Sequence, residues 1–145
     1  MKPNLKQAYP PDWKGMPMQM SARDRELWLR FQESMPEGFI HFYFDVQVGT
    51  PIIEVPEEEP EMKAMVEQTT RLRIDAVGEK KNEYWLIELR PSAMCGAIGS
   101  IITYKTLWEE DPLDDKIITP VIVTDNTNRN IISAAGRLKI IILLV

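Results

Sequence analysis

The spacing of hydrophobic and polar residues changes several times along this 145-residue chain. Apolar residues at helical spacing predict a helix over 21–35, with Ser21 as its N-cap. Strict alternation of apolar and polar residues then predicts a strand over 39–48. The apolar residues that this alternation assigns to one face of the strand are Ile40, Phe42, Phe44, Val46 and Val48.

The central part of the chain predicts a hairpin followed by a helix. Strand patterns occupy 70–78 and 83–90, and the polar segment 79–82 between them is typical of a turn. A helix is predicted over 93–108, with glycine and serine along one side, which lets a helix lie close to a sheet.

The C-terminal part predicts two more strands. Residues 117–124 form an apolar run typical of a buried strand, although Pro120 within it indicates an edge position or a bulge. A short helix is expected at 130–135 and a last, strongly apolar strand at 138–145. The order α-β-β-β-α-β-α-β predicts an α/β (α+β) fold, a mixed sheet flanked by helices.

The first 20 residues contain four prolines and no sustained period, which predicts an extended arm before a single domain spanning 21–145. Two interpretations of the arm remain open: it packs on its own domain, or it docks on a neighbouring subunit or another protein. The last strand likewise requires burial, either in the core or in a subunit interface. The arm residues expected to bind a partner are Tyr9, Trp13, Met16, Met18 and Met20.

Composition narrows the function classes. The net charge of −5 and the pI near 5.0 argue against a broad nucleic-acid-coating surface. With one cysteine and one histidine, an intrachain disulfide is excluded and a zinc site is disfavoured. The apolar tail is shorter than the roughly 20 residues of a membrane span, and no secretory signal is visible. We expect no membrane association and a location in the cytoplasm or in a particle assembled there.

The predicted hairpin carries the candidate chemistry. A turn centred between Lys81 and Asn82 places Asp75 opposite Glu88 and Arg73 opposite Arg90, with all four side chains on one face. Two interpretations follow. The facing carboxylates bind Mg²⁺ or Mn²⁺, which activates water and stabilises charge on a phosphate. Alternatively, the two arginines neutralise the two acids as a salt-bridge cluster.

These residues also resemble a known motif. Asp75 in "RIDAVG", then Glu88 and Arg90 in "WLIELRP", followed by the helix "GAIGSIITYKTLW", are similar to the PD-(D/E)XK nuclease superfamily. The predicted element order over 21–124 also resembles that superfamily's αβββαβ restriction-endonuclease-like core. The resemblance implies that Asp75 and Glu88 are the metal-binding acids.

The resemblance also implies accessory residues and shows two departures. Glu26 matches the accessory acid on the first helix, and Tyr104 lies on the helix after the motif strands. Arg90 stands where the superfamily has its catalytic lysine, and Ser100 stands where it often has glutamine. Arginine stays charged and is bulkier than lysine, so it is a poor replacement for a group that handles protons.

We therefore expect a nuclease fold with a degenerate site, used as a structural or assembly module without a cofactor. A phage virion component, such as a head–tail connector or neck protein, fits this expectation. Its partners would be other proteins or further copies of the chain, bound through the arm and the last strand. The alternative is an active Mg²⁺-dependent endonuclease or DNA-processing enzyme. Neither a nucleotide-binding glycine loop nor a catalytic set around His41 indicates a small-molecule enzyme.

Overall fold

A computed structural model describes residues 1–17 and 19–145, so the predicted arm residue Met18 lies outside the described part of the chain. The described residues form four helices and five strands. In chain order these are α1 (Ala22–Ser34), β1 (His41–Val48), α2 (Pro60–Thr70), β2 (Leu72–Glu79), β3 (Glu83–Leu89), α3 (Cys95–Glu110), β4 (Ile117–Thr124), α4 (Arg129–Arg137) and β5 (Ile141–Leu144). None of the described helices combines the length and apolar character needed to cross a membrane.

The five strands form one mixed sheet in the order β1-β2-β3-β4-β5. The strands β1, β2 and β3 run antiparallel to one another, whereas β3, β4 and β5 run parallel. The predicted fold class is confirmed, and each predicted strand is present, although β5 is shorter than expected. Between β1 and β2 the chain also forms α2, a helix of 11 residues.

One face of the sheet is covered by α1. Trp28 is 1% exposed and packs edge-on against two rings of β1, with centroid distances of 4.9 Å to Phe42 and 5.1 Å to Phe44. Edge-to-face pairs of this kind stabilise a core by about 1 kcal/mol beyond the area they bury. Ser21 caps the helix, because its Oγ accepts the Asp24 N–H at 3.1 Å.

The opposite face is covered by α3 and α4. Ala97, Ile101 and Trp108 of α3 are fully buried in a second core, which also contains Ala135 of α4. The two cores enclose the sheet, so both faces of its central strands are apolar.

The alternation predicted for β1 is wrong beyond Phe44. Phe42 and Phe44 pack on the α1 side of the sheet, but Val46 and Val48 pack in the core on the α3 side. The change occurs at Asp45, whose φ of 53° lies in the left-handed region. The left-handed conformation costs a non-glycine residue about 1 kcal/mol. It also interrupts the strict alternation of side chains between the two faces of the strand, so the residues after Asp45 lie on the opposite face from the one predicted.

The arm packs on its own domain. Tyr9 exchanges two backbone hydrogen bonds with Phe42 at the outer edge of β1, at 2.8 and 2.9 Å. The ring of Trp13 lies 4.1 Å from that of Tyr9, and the buried Gln32 side chain donates to the Pro11 and Trp13 carbonyls. The arm thus supplies backbone partners to an edge strand that would otherwise be open.

The residues expected to bind a partner therefore differ in how deeply they are buried within this chain. Met20 is buried beside α1, and Tyr9 and Trp13 are half-buried against it and β1. Met16 keeps 53% of its surface exposed. Of the two interpretations of the arm, the geometry supports packing on the same domain.

The pairing of the last two strands explains how β4 accommodates Pro120. Pro120 pairs with Leu86 of β3, but pairing between β4 and β5 begins only at Val121. The proline therefore costs no hydrogen bond to β5, although β4 is an interior strand. The β5 strand forms the other edge of the sheet, and its Leu144 side chain is 60% exposed, so the strand is only partly buried.

If the arm is an integral part of the fold, Trp13→Ala should lower the free energy of unfolding by about 1–3 kcal/mol, because a half-buried aromatic stack is lost. Met16→Ala, a control on the same arm at an exposed position, should change it by less than about 0.5 kcal/mol. Chemical denaturation of both variants measures the difference. A loss of less than about 0.5 kcal/mol in Trp13→Ala would contradict an integral role for this part of the arm.

Candidate acidic site

The two acids of the hairpin meet where β2 and β3 separate. The observed pairs Val77–Leu86 and Glu79–Tyr84 confirm the predicted register, and the ladder ends at Ala76–Ile87. Beyond that point the Leu89 N–H donates to Asp75 Oδ2 at 2.8 Å instead of to a backbone carbonyl. The carboxyl groups of Asp75 and Glu88 lie within hydrogen-bonding distance of each other.

Burial is the largest influence on the pKa of Asp75. It raises the pKa of Asp75 well above its usual range, and the hydrogen bond and negative charge of Glu88 raise that pKa further. The hydrogen bond from Leu89 N–H acts in the opposite direction and does not balance these effects. The Asp75 carboxyl group therefore favours its protonated form.

Arg90 is the cation nearest to this pair. Its guanidinium donates to Glu88 Oε2 at 3.1 Å and to Ser100 Oγ at 3.4 Å. A side chain at Gly96 would place its Cβ 3.3 Å from the same guanidinium, so the glycine leaves room for the arginine beneath α3. Arg90 and Ser100 thus occupy the site as the sequence predicted.

Arg73 does not join the acids. Its guanidinium donates to Asp45 Oδ2 and to the Gln68 carbonyl, away from Glu88. Of the two arginines predicted to join the acids, only Arg90 does so. The salt-bridge interpretation placed Arg90 beside Asp75 and Arg73 beside Glu88, but in the described part of the chain Arg90 pairs with Glu88 and Arg73 with Asp45, which leaves Asp75 without an arginine partner.

Two further groups border the acids. Tyr104 lies one helical turn beyond Ser100, and burial together with the charges of Glu88 and Asp75 raises its pKa to about 12. Asp24, in the first turn of α1, is close enough to interact with Glu88, Arg90 and Asp75. Burial is the main cause that raises the pKa of Asp24.

The acid of α1 beside the pair is Asp24 and not the expected Glu26. Glu26 points to solvent, where it forms an exposed ion pair with Arg30 at 2.6 Å. The sequence offered one signal for Asp24, its position three residues after the N-cap Ser21, which places it at the end of the helix. Which end of α1 lies over the hairpin depends on tertiary packing, so that signal alone could not select it.

The end of the arm forms one wall of the site. Pro17, Gln19 and Met20 line a small cavity together with Phe44, Asp45 and Asp75. Asp45, the left-handed residue of β1, is held there by ion pairs with Arg73 and with Lys6 of the arm, the latter at 3.0 Å. The irregular point of β1 therefore lies beside the candidate site.

The donor set is compatible with a hard metal ion held partly by water. No group of three Asp, Glu, His or Cys side chains within residues 1–17 and 19–145 is arranged to hold a metal. Two facing carboxylates remain, and Mg²⁺ is commonly bound by one or two carboxylates with water and phosphate as its other ligands. The carboxyl oxygens of Asp75 and Glu88 fit such an ion.

Comparisons with known proteins bear on the fold alone. No protein-family profile matches the chain, and no curated protein does. The chain is similar to a solved structure of the protein of unknown function AF1548, with a TM-score of 0.53 and 16% identity. The similarity covers 83% of this chain and 56% of that one, so the chain spans little more than half of its length.

The raised pKa of Asp75 predicts a pH-dependent cost. An unfolded chain releases this proton near pH 4 and the folded chain retains it, so stability falls as pH rises from there toward the raised pKa. Asp75→Asn removes that loss and should raise the free energy of unfolding by about 1–3 kcal/mol at pH 8 but little at pH 4.

Chemical denaturation between pH 4 and 9 measures this effect, with Glu26→Gln as the exposed control. A variant that is less stable than the native chain at pH 8 would mean that the acid pair is not an electrostatic liability.

Proposed function

We propose that this chain is a nuclease-fold protein that binds a divalent metal ion between Asp75 and Glu88 and cleaves phosphodiester bonds in DNA. The observation that carries this proposal is the contact between a buried carboxyl group, that of Glu88, and a half-buried one, that of Asp75; among the described residues only Glu88 is paired with a cation. Two buried acids in contact are costly unless a proton or a metal ion lies between them. The resemblance to the PD-(D/E)XK motif supplies the reaction class.

A bound Mg²⁺ would polarise the phosphate and lower the pKa of a coordinated water. The residues of the chain have separate roles around it. Asp75 and Glu88 would hold the ion, and the Leu89 N–H fixes the orientation of the Asp75 carboxylate. The Arg90 guanidinium would stabilise negative charge on the phosphate oxygens. Gly96 and Ser100 keep its guanidinium against Glu88.

Metal binding should displace the proton of the Asp75 carboxyl group, which gives a test without catalysis. Mn²⁺ or Mg²⁺ at about 100 times its Kd should stabilise the fold by about 2.7 kcal/mol. The increase in melting temperature should be several degrees and larger at pH 8 than at pH 6, because a proton competes with the metal.

Three variants locate the metal site in that experiment. Asp75→Asn should abolish the metal-dependent increase in melting temperature, and Asp24→Asn should reduce it through the lost charge. Glu26→Gln, the exposed acid on the same helix, should leave it unchanged. A full increase in Asp75→Asn would place the metal elsewhere and refute this part of the proposal.

Cleavage tests the chemistry directly. Supercoiled plasmid incubated with the native chain and Mn²⁺ or Mg²⁺ should be nicked or linearised, and Asp75→Asn or Glu88→Gln should lower the rate by about 100-fold or more. Arg90→Lys should retain or raise the activity, because lysine can also transfer a proton. Chelation should stop cleavage by the native chain, and Glu26→Gln serves again as the unchanged control.

A second candidate function is favoured by one contact. Arg90 already pairs with Glu88 at 3.1 Å, and this pairing lets the motif persist without metal. The protein would then be a non-catalytic assembly module, for example a head–tail connector or neck component that works in the host cytoplasm or in a phage virion. Binding of metal without plasmid cleavage by any variant, Arg90→Lys included, would favour this candidate over the nuclease.

A further inference from the structure

The loop 50–59 and helix α2 form an acidic surface that the rest of the fold does not cover. Only Val66 among the 11 residues of α2 is buried. Several large apolar side chains of this segment face solvent instead, with Ile52 at 75%, Met62 at 50% and Met65 at 56% exposure. Exposed large apolar groups on one segment, rimmed by charge, mark an interaction surface.

A groove runs between the loop and the helix, with a volume of about 370 Å³. Its apolar lining includes Ile53, Val55 and Val66, and its acidic lining includes Glu54, Glu57 and Glu67. The one basic residue in the lining, Lys63, is paired with Glu57. The helix is fixed mainly at its C-terminal end, where the Gln68 carbonyl accepts hydrogen bonds from Gln47 and Arg73.

Charge identifies the occupant that this groove fits. Residues 50–70 contain six glutamates and one lysine, which leaves 16 acidic and 16 basic residues in the rest of the chain. The entire net charge of −5 therefore belongs to this surface. Nucleic acid would be repelled there, and a second copy would present either the same acidic groove or a surface with no net charge.

We propose that the groove between loop 50–59 and α2 binds a basic, amphipathic segment of another protein. The apolar side of such a segment would lie on Ile53, Val55 and Val66, and its lysines or arginines would face the surrounding glutamates. The two exposed methionines can adapt to the shape of the partner. This proposal does not rest on the function of the acid pair, because it uses a different set of residues.

Two synthetic helical peptides test the proposal on the full chain. One has leucine on one face and lysine on the other, and its counterpart has glutamate in place of lysine. The lysine peptide should bind with micromolar affinity that weakens at least tenfold between 50 and 500 mM salt, and its amide chemical-shift changes should concentrate in residues 50–70. The glutamate peptide should not bind at ten times the concentration.

Variants decide whether the groove is responsible. Ile53→Ser and Glu57→Lys change exposed positions and should each weaken binding at least tenfold, while Leu144→Ser, an exposed apolar position on β5, should leave it unchanged. Equal binding of both peptides, shift changes outside 50–70, or variants without effect would each overturn the proposal. So would concentration-dependent dimerisation of the chain that Ile53→Ser abolishes in sedimentation, since the occupant would then be a second copy.

Discussion

The contact between Asp75 and Glu88 is the constraint on which the organisation of this molecule depends. A continuous ladder between β2 and β3 would pair Asp75 through its backbone, but here the ladder ends one residue earlier and the Asp75 carboxylate accepts the Leu89 N–H. The strand separation and the acid contact therefore belong to the same local geometry. The regular pairing between β2 and β3 ends at this point, and a half-buried carboxyl group takes its place.

The irregularity extends to the neighbouring strand. Asp45 adopts a left-handed conformation, and the register between β1 and β2 continues on both sides of it without a pair at Asp45. Ile74 and Ala76, two residues apart on β2, pack in different cores, as Phe44 and Val46 do on β1. Lys6 and Arg73 hold the Asp45 carboxylate, which ties the arm and β2 to this point. The arm is thus part of the structure that maintains the site.

The sequence predicted the features that depend on residues close together in the chain. The turn after β2 fixed the hairpin register, and that register correctly opposed the two acids. The change of face at Asp45 was invisible, because both faces of β1 are buried and apolar residues suit either one. The partner of Arg73 and the position of Asp24 were set by contacts between elements far apart in sequence. The spacing of residues within one hairpin could not show whether Arg73 would pair with an acid on β1 or with an acid on β3.

The location of the charge alters one argument from composition. A net charge of −5 counts against nucleic-acid binding only if the charge is spread over the molecule. Here loop 50–59 and α2 carry all of it, and the acids and bases of the remaining chain, which includes the acid pair and Arg90, are equal in number. The overall charge therefore says little about the field at Asp75 and Glu88. Electrostatic repulsion of a phosphate there depends on the two carboxyl groups themselves, and a proton or a metal ion between them removes much of it.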